Sequence, residues 1–499
     1  MLFNSFEFIL LFLPLTLFAF FQIGRQGHHQ GAIAWLVAAS LFFYAWWNVS
    51  YLGLLVISIV FNYFVGLAIS RYKVLLDKPK WLLAFGVVVN LGLLGYFKYT
   101  NFFIDTTNDL FGTSFHFNVI ILPLAISFYT FQQIAYLVDV YRGHFEELNF
   151  VRYCLFVSFF PQLIAGPILH PKEILPQFSK QVYQVNPENI ALGLAIFSIG
   201  LFKKVIIADE VAIYANSAFS AAQAGASLTF LEAWSGAIHY SFQLYFDFSG
   251  YSDMAIGLAL LFNIKFPLNF DSPYKAVDII DFWRRWHMTL SRFLRDYIYI
   301  PLGGNRQGEL QRYRNLMITM LLGGLWHGAG WTFVLWGGLH GIYLVINHQW
   351  HAFQRFLGRN YSKSYGWSRG LGCLVTFLAV VVAWVFFRAE NIDAALRMLK
   401  AMAGANGVSF KSSLEIGKRM LVLLPIIVWF TPNTQQWIEQ YKLTLEQPVI
   451  KPGSTRSVRL WELQGQLNVA FGVLVGALMF ISLQTLIAAP PSDFLYFNF

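Results

Sequence analysis

DFWRRWHMTLSRFLRDYIYI (281–300), PLGGNRQGELQRYR (301–314) and NLMITMLLGGLWHGAGWTFVLWGGLHG (315–341) make up the stretch around which the rest of the chain is arranged. The first block reads as a charged helix and the second as a Gly-rich turn. The third is an apolar run interrupted by a histidine and many glycines. Ionisable groups at membrane depth are costly and are kept where they face an internal cavity and act there. Arg284, Arg285, His287, Arg292, Arg295, Asp296 and His327 all fall in this one region.

At 57% hydrophobic and 12% charged residues, the chain carries about half the ~25% charge of a soluble protein. Apolar runs of ~20 residues recur along it, each long enough to cross a hydrocarbon core about 30 Å thick as a helix. It therefore reads as an integral membrane protein, with the lipid bilayer as its surroundings. With 51 Phe, 24 Tyr and 16 Trp a β-barrel is worth testing, but the runs show no period-2 alternation, so helices are expected. The formal net charge of +9 follows from Lys and Arg collecting in cytoplasmic loops and implies no nucleic-acid partner. Cys154 and Cys373 sit singly in apolar contexts, which fits neither a disulfide framework nor a thiolate metal site. The N-terminal MLFNSFEFIL holds Glu7 and no basic residue before its apolar run, the pattern of a retained first span rather than a cleaved signal peptide.

Spans are expected near 5–23, 32–47, 51–70, 82–98, 118–141, 188–206, 371–388, 419–431 and 467–488, and 229–263 is long enough for two segments. The connection RYKVLLDKPK (71–80) has Arg71, Lys73, Lys78 and Lys80 against one Asp, whereas NFFIDTTNDLFGTSFH (101–116) has Asp105 and Asp109 and no Lys or Arg. The positive-inside rule makes the first cytoplasmic and the second external, with the N-terminus outside. The later basic loop with Arg355, Arg359, Lys363 and Arg369 is again cytoplasmic. In FVSFFPQLIAGPILHPKEILPQF (156–178), Pro161, Pro167, Pro171 and Pro176 would break any helix repeatedly. A re-entrant or broken element lining a cavity fits this run, because irregular backbone facing lipid would leave amides unpaired. With no internal repeat or low-complexity linker, residues 1–499 read as one polytopic all-α domain. About eleven transmembrane helices plus re-entrant and interfacial helices account for its length.

On a continuous helix over 281–300, Arg284, His287, Ser291 and Arg295 share one face, and Arg285, Thr289, Arg292 and Asp296 another. An interfacial helix whose arginines meet lipid phosphate is the plainer alternative for the arginines. His327 stands in an uncharged run beside Gly323, Gly324, Gly328 and Gly330, where Gly324 and Gly328 form a small-xxx-small pair. An imidazole with an unperturbed pKa of ~6.5 suits proton abstraction near neutral pH, so His327 is a candidate general base that activates a hydroxyl. His340, about 20 Å further along a straight helix, is expected to pack or hydrogen-bond rather than pair with His327. Asp247 and Asp253, in YFDFSGYSDMAIG (245–257), are spaced i, i+6 and do not share a helical face, so each is expected to cap or to pair with an arginine. HExxH, P-loop, GxGxxG and GxSxG patterns are absent, and no metal site is expected.

FWRRWHMTLSRFLRDYIYIPLGGNR (282–306) with NLMITMLLGGLWHGAGWTFVLWGGLHG (315–341) resembles the signature of membrane-bound O-acyltransferases, in the bacterial branch that modifies alginate, peptidoglycan and teichoic acid. MLFNSFEFILLFLPL, FFPQLIAGPI (159–168), YFDFSGYSDMAIG and WVFFRAE resemble that branch too. The resemblance implies a helical bundle around a central funnel, an acyl donor on the cytoplasmic side and an acceptor on the far side. By the match of WHG, His327 takes the family's catalytic histidine position; by the match of RRWH, His287 takes its second active-site position. Alongside them, Arg284 or Ser291 would help His287 to stabilise an oxyanion. Lys203, Lys204, Arg306, Arg312 and Arg314 would attract the phosphates of coenzyme A, with lipid headgroups as the competing explanation.

The function expected on this reading is acetyl transfer from acetyl-CoA, used as a substrate with no permanently bound cofactor, across the bacterial inner membrane. The acetyl group goes to an exported, alginate-like polysaccharide, by way of a periplasmic acyltransferase or acyl-acceptor protein. Peptidoglycan O-acetylation and D-alanyl transfer to a cell-wall polymer are the alternatives. A transporter or flippase of an acylated carrier is the rival from another class, and a non-catalytic scaffold a third.

Overall fold

The computed structural model describes residues 1–75, 79–115, 118–144, 149–164, 166–178, 180–358, 366–409, 417–445, 455–488 and 492–495. Of the basic loop residues named above, Lys78, Arg359 and Lys363 lie outside these ranges. All regular structure among the described residues is helical. Among the described residues, six helices are long and apolar enough to cross a membrane: Glu7–Arg25, Val49–Tyr72, Lys80–Phe111, Pro187–Gln223, Gly366–Arg388 and Val469–Ala488. His29–Ala45 is a shorter apolar helix.

The elements that build the centre are α1 (Lys80–Leu94), α2 (Ile126–Arg142), α3 (Pro187–Phe202), α4 (Phe230–Leu261), α5 (Ile279–Arg285), α6 (Met288–Leu294), α7 (Glu309–His327), α8 (Trp331–Phe356) and α9 (Gly366–Arg388). Several spans differ from the sequence expectation, and that expected over 118–141 is helical only from Ile126. α1 runs on through a π turn at Gly95–Tyr99 and the helix Thr100–Phe111, so the acidic stretch read as a loop is mostly a continuation of that helix. α3 continues through a π turn at Lys203–Ala208 into Asp209–Gln223. α4 is one unbroken helix of 32 residues, started by a capping box in which Thr229 and Glu232 satisfy each other's backbone N–H.

The Pro-rich stretch is broken, as its composition demands. It forms short helical pieces at Phe160–Leu163 and Pro171–Ile174 and a 3-10 turn at Leu175–Gln177. Phe159, Phe160, Leu163, Ile168, Leu169 and Ile174 are all buried, so this irregular backbone is enclosed by protein rather than by lipid. Glu173 anchors it through a two-pronged contact with Arg292 of α6, at 2.7 and 3.0 Å.

Helices α3 and α4 cross with their backbones in direct contact. A Cβ on Gly250 would lie 2.7 Å from the carbonyl oxygen of Gly200, closer than any side chain can sit, so the glycines permit backbone contact. That approach places Lys203 2.7 Å from Asp253, and Lys204 2.7 Å from Asp247 and 2.8 Å from Asp209. The two acids thus go to lysines of the neighbouring span rather than to arginines of the 281–300 region, because the π turn turns both lysines inward. The segment 492–495 closes this cluster. Lys204 donates to the Asp493 carbonyl at 3.1 Å, the Leu495 N–H donates to Asp247 at 3.0 Å, and Asn4 donates to the Ser492 carbonyl at 3.2 Å. Phe494 stacks on Tyr251 at 4.5 Å.

Candidate active site

The 281–300 block is not one helix. Asp278 caps α5 by accepting from the Asp281 N–H, and the chain then bends, with Trp286 extended and His287 at φ +43°. A left-handed conformation at a non-glycine residue costs roughly 1–2 kcal/mol and persists where the surroundings impose it. Here Asn269 imposes it. Its backbone carbonyl accepts from the Met288 N–H at 2.9 Å, and its side-chain Oδ1 accepts from the Thr289 N–H at 3.3 Å and the Thr289 hydroxyl at 3.0 Å. The helical-wheel grouping of Arg284 with His287 and Ser291 therefore fails at the bend. Arg284 is exposed, Ser291 donates to the Trp286 carbonyl at 3.3 Å, and only His287 turns fully inward, with no exposed surface.

α7 ends on His327. Gly328 and Gly330 follow in extended conformations, and α8 returns antiparallel, so the 315–341 run is a hairpin rather than one helix. Gly324 and Gly337 make the hairpin close. A Cβ on Gly337 would lie 3.1 Å from the Met320 carbonyl carbon and 3.2 Å from the Gly324 Cα. His340 consequently lies one helical turn from Trp336, beside the site and not far along a straight helix. Trp336 is 5.1 Å from His327 on one side and 4.9 Å from His340 on the other.

The two histidines predicted to be active come together. Their ring centroids are 6.4 Å apart. Around His327 stand Trp326 at 4.9 Å, Trp336 at 5.1 Å and Phe387 of α9 at 5.2 Å, and around His287 stands Phe248 of α4 at 4.7 Å. His327 is 2% exposed, enclosed by these rings. Asn269 Oδ1 lies 3.1 Å from His287 Nδ1.

Sequence reasoning missed Lys98 as well as Asn269. Lys98, on the π turn that follows α1, is buried and donates to the Trp326 carbonyl. Its Nζ lies 3.2 Å from Ser127 Oγ and 3.5 Å from the His327 carbonyl. It sits at the C-terminal end of α7, where carbonyls lack helical partners and a cation is favoured. Its signal was a lone lysine inside the apolar run GYFKY. The residues expected to draw coenzyme A phosphates are dispersed. Lys203 and Lys204 are held by acids in the protein interior, as described, while Arg306 and Arg314 are exposed and Arg312 is half-buried near Glu309 at 3.6 Å.

This bundle of apolar helices around a buried histidine pair belongs to the membrane-bound O-acyltransferase family, whose model matches residues 32–383. Among relatives, the chain is 46% identical to a peptidoglycan O-acetyltransferase of Helicobacter pylori, over 100% of this chain and 98% of that protein. It is also 46% identical to the probable alginate O-acetylase AlgI of Pseudomonas aeruginosa, over 81% of this chain and 75% of that protein. A teichoic acid D-alanyltransferase of Streptococcus thermophilus matches at 28% identity, over 53% of this chain and 68% of that protein. The chain is thus a polytopic membrane enzyme of acyl transfer to oxygen.

Proposed function

We propose that the protein takes an acetyl group from acetyl-CoA on the cytoplasmic side of the bacterial inner membrane and delivers it across the membrane for O-acetylation of an exported glycan. The observation that carries this reading is the buried pair His287 and His327, 6.4 Å apart between two structural breaks that fix their positions. The alcohol of the acceptor loses its proton to the His327 imidazole as its oxygen attacks the thioester carbonyl. The new C–O bond forms, the C–S bond breaks, and the thiolate leaves to be protonated. A thioester needs no further activation, so alignment and a base account for the chemistry required of the protein.

Among acceptors, the match to a peptidoglycan O-acetyltransferase along the whole chain favours peptidoglycan, while the matches to alginate O-acetylases over 81% of the chain keep an alginate-like polymer as the second reading. A periplasmic acyltransferase or acceptor protein would receive the group before the glycan. The test is purified protein in proteoliposomes with radiolabelled acetyl-CoA and each acceptor. Transfer is expected to fall by at least about 10²-fold in His327→Ala while the variant still folds. Undiminished transfer in a folded His327→Ala protein removes that ring from the chemistry.

A further inference from the structure

The hydrogen bonds around Asn269 fix which nitrogen of His287 carries the proton. The backbone N–H of Thr289 can only donate, and it reaches Asn269 Oδ1 at 3.3 Å, so that atom is the carbonyl oxygen of the amide and not its nitrogen. The Thr289 hydroxyl agrees. It accepts from the Ile168 N–H at 3.0 Å, which leaves its own hydrogen for Asn269 Oδ1 at 3.0 Å. An oxygen so defined can only accept, so His287 Nδ1, 3.1 Å away, must be the donor. A neutral ring with hydrogen on Nδ1 has its lone pair on Nε2. Among the described residues, Nε2 is buried and has no hydrogen-bond partner.

We infer that Asn269 is a positioning residue that locks His287 in the Nδ1–H tautomer and presents Nε2 to the reaction centre as a hydrogen-bond acceptor. This inference rests on the acyl-transfer reading of the same site and changes one role in it. A neutral His287 of this tautomer has no hydrogen on Nε2 to give to an oxyanion, so it does not act as the oxyanion donor expected from the sequence. What Nε2 can hold is a donor. The attacking alcohol gives its one hydrogen to His327, so the donor that His287 Nε2 accepts from is a second hydroxyl of the glycan, which orients the acceptor. Oxyanion stabilisation then falls to other donors near His327, where the indole N–H groups of Trp326 and Trp336 are buried without hydrogen-bond partners among the described residues.

The link Ile168–Thr289–Asn269–His287 also ties the tautomer to the broken Pro-rich segment, since Ile168 lies within it. That connection is invisible in the sequence, where Ile168 and Thr289 are 121 positions apart.

The test is the 15N spectrum of the full chain labelled at histidine nitrogens, with the His287 signals assigned by their loss in His287→Gln. Wild type is expected to show a protonated Nδ1 and a lone-pair Nε2. Asn269→Asp, which keeps an acceptor oxygen, should retain that pattern and a kcat within about tenfold of wild type. Asn269→Leu should lose it, with kcat falling about 10²-fold and KM for acetyl-CoA little changed. Thr289→Val separates structural from positional effects, because it removes a bond to the same oxygen and should lower thermal stability without altering the tautomer. The inference is overturned if wild type shows a protonated Nε2. It is overturned equally if Asn269→Leu keeps the wild-type spectrum, or if Asn269→Asp and Asn269→Leu lose kcat alike. The spectrum needs no turnover, so a protein inactive with acetyl-CoA would refute the donor assignment and leave the tautomer still testable.

Discussion

Replacing Lys98 by methionine removes a buried amine while nearly preserving its shape, and the structure sets what should follow. The amine donates to the last carbonyls of α7 and to Ser127, with its nitrogen 3.2 Å from Ser127 Oγ. A hydrogen bond from a charged group contributes about 1.5–3 kcal/mol, and a cation at a partly buried helix C-terminus adds up to ~2 kcal/mol. Against this stands the desolvation of the ammonium, which costs several kcal/mol. The two sides nearly cancel, so Lys98→Met should change stability by no more than about 2 kcal/mol. The catalytic cost is not offset in the same way. His327 is the last residue of α7, and its carbonyl and that of Trp326 lose the group that holds them. A displacement of about 1 Å at a reacting group can cost 10²-fold in rate. We therefore expect acetyl transfer in proteoliposomes to fall by about 10²-fold, with a much smaller change in the thermal inactivation midpoint and with partial recovery in Lys98→Arg. A Lys98→Met protein that transfers acetyl within threefold of wild type would refute the idea that this amine positions the histidine. So would a rate loss that merely tracks the unfolded fraction.

Further outcomes are expected at other contacts. Gly337→Ala places a Cβ against the Met320 carbonyl and 3.2 Å from Gly324 Cα, and should destabilise the hairpin by about 1–3 kcal/mol, read as a lower inactivation midpoint together with lost transfer. Asp247→Leu leaves Lys204, whose side chain is 4% exposed, with Asp209 as its remaining acid. It should cost about 3 kcal/mol, and adding Lys204→Met should restore part of that loss in the same thermal assay. Glu173→Gln weakens the clamp on Arg292, whose partners are about one-third exposed, and should cost only about 1 kcal/mol. Hydrogen exchange should nonetheless quicken at residues 166–178.

Much of this site could be read from the chain before any coordinates. His327 and His287 carry recognisable surroundings, WHG and RRWH, and the glycines beside His327 announced close packing. The breaks in the Pro-rich stretch followed from proline chemistry alone. What failed was continuity. Periodicity treated 281–300 as one helix because nothing local marks His287 as left-handed; the cause is Asn269, eighteen positions earlier. Likewise 315–341 looked like one apolar run, since Gly328 and Gly330 permit a reversal without requiring it. The partners of Asp247 and Asp253 were missed because the π turn at Lys203–Ala208 rotates both lysines inward, and such a one-residue insertion leaves no signature in hydropathy.

The ion-pair cluster of α3 and α4 has a consequence for biosynthesis. Lys204 takes a ligand from Asp493, 289 positions downstream, and Asp247 takes one from Leu495, 248 positions downstream. While the ribosome is still making the intervening chain, these charges sit in the bilayer with their set of contacts unfinished, so the young protein holds a polar defect until its final stretch is inserted. Quality-control proteases that recognise such defects would have a built-in timer, and chains stalled after α9 should be degraded faster than finished ones.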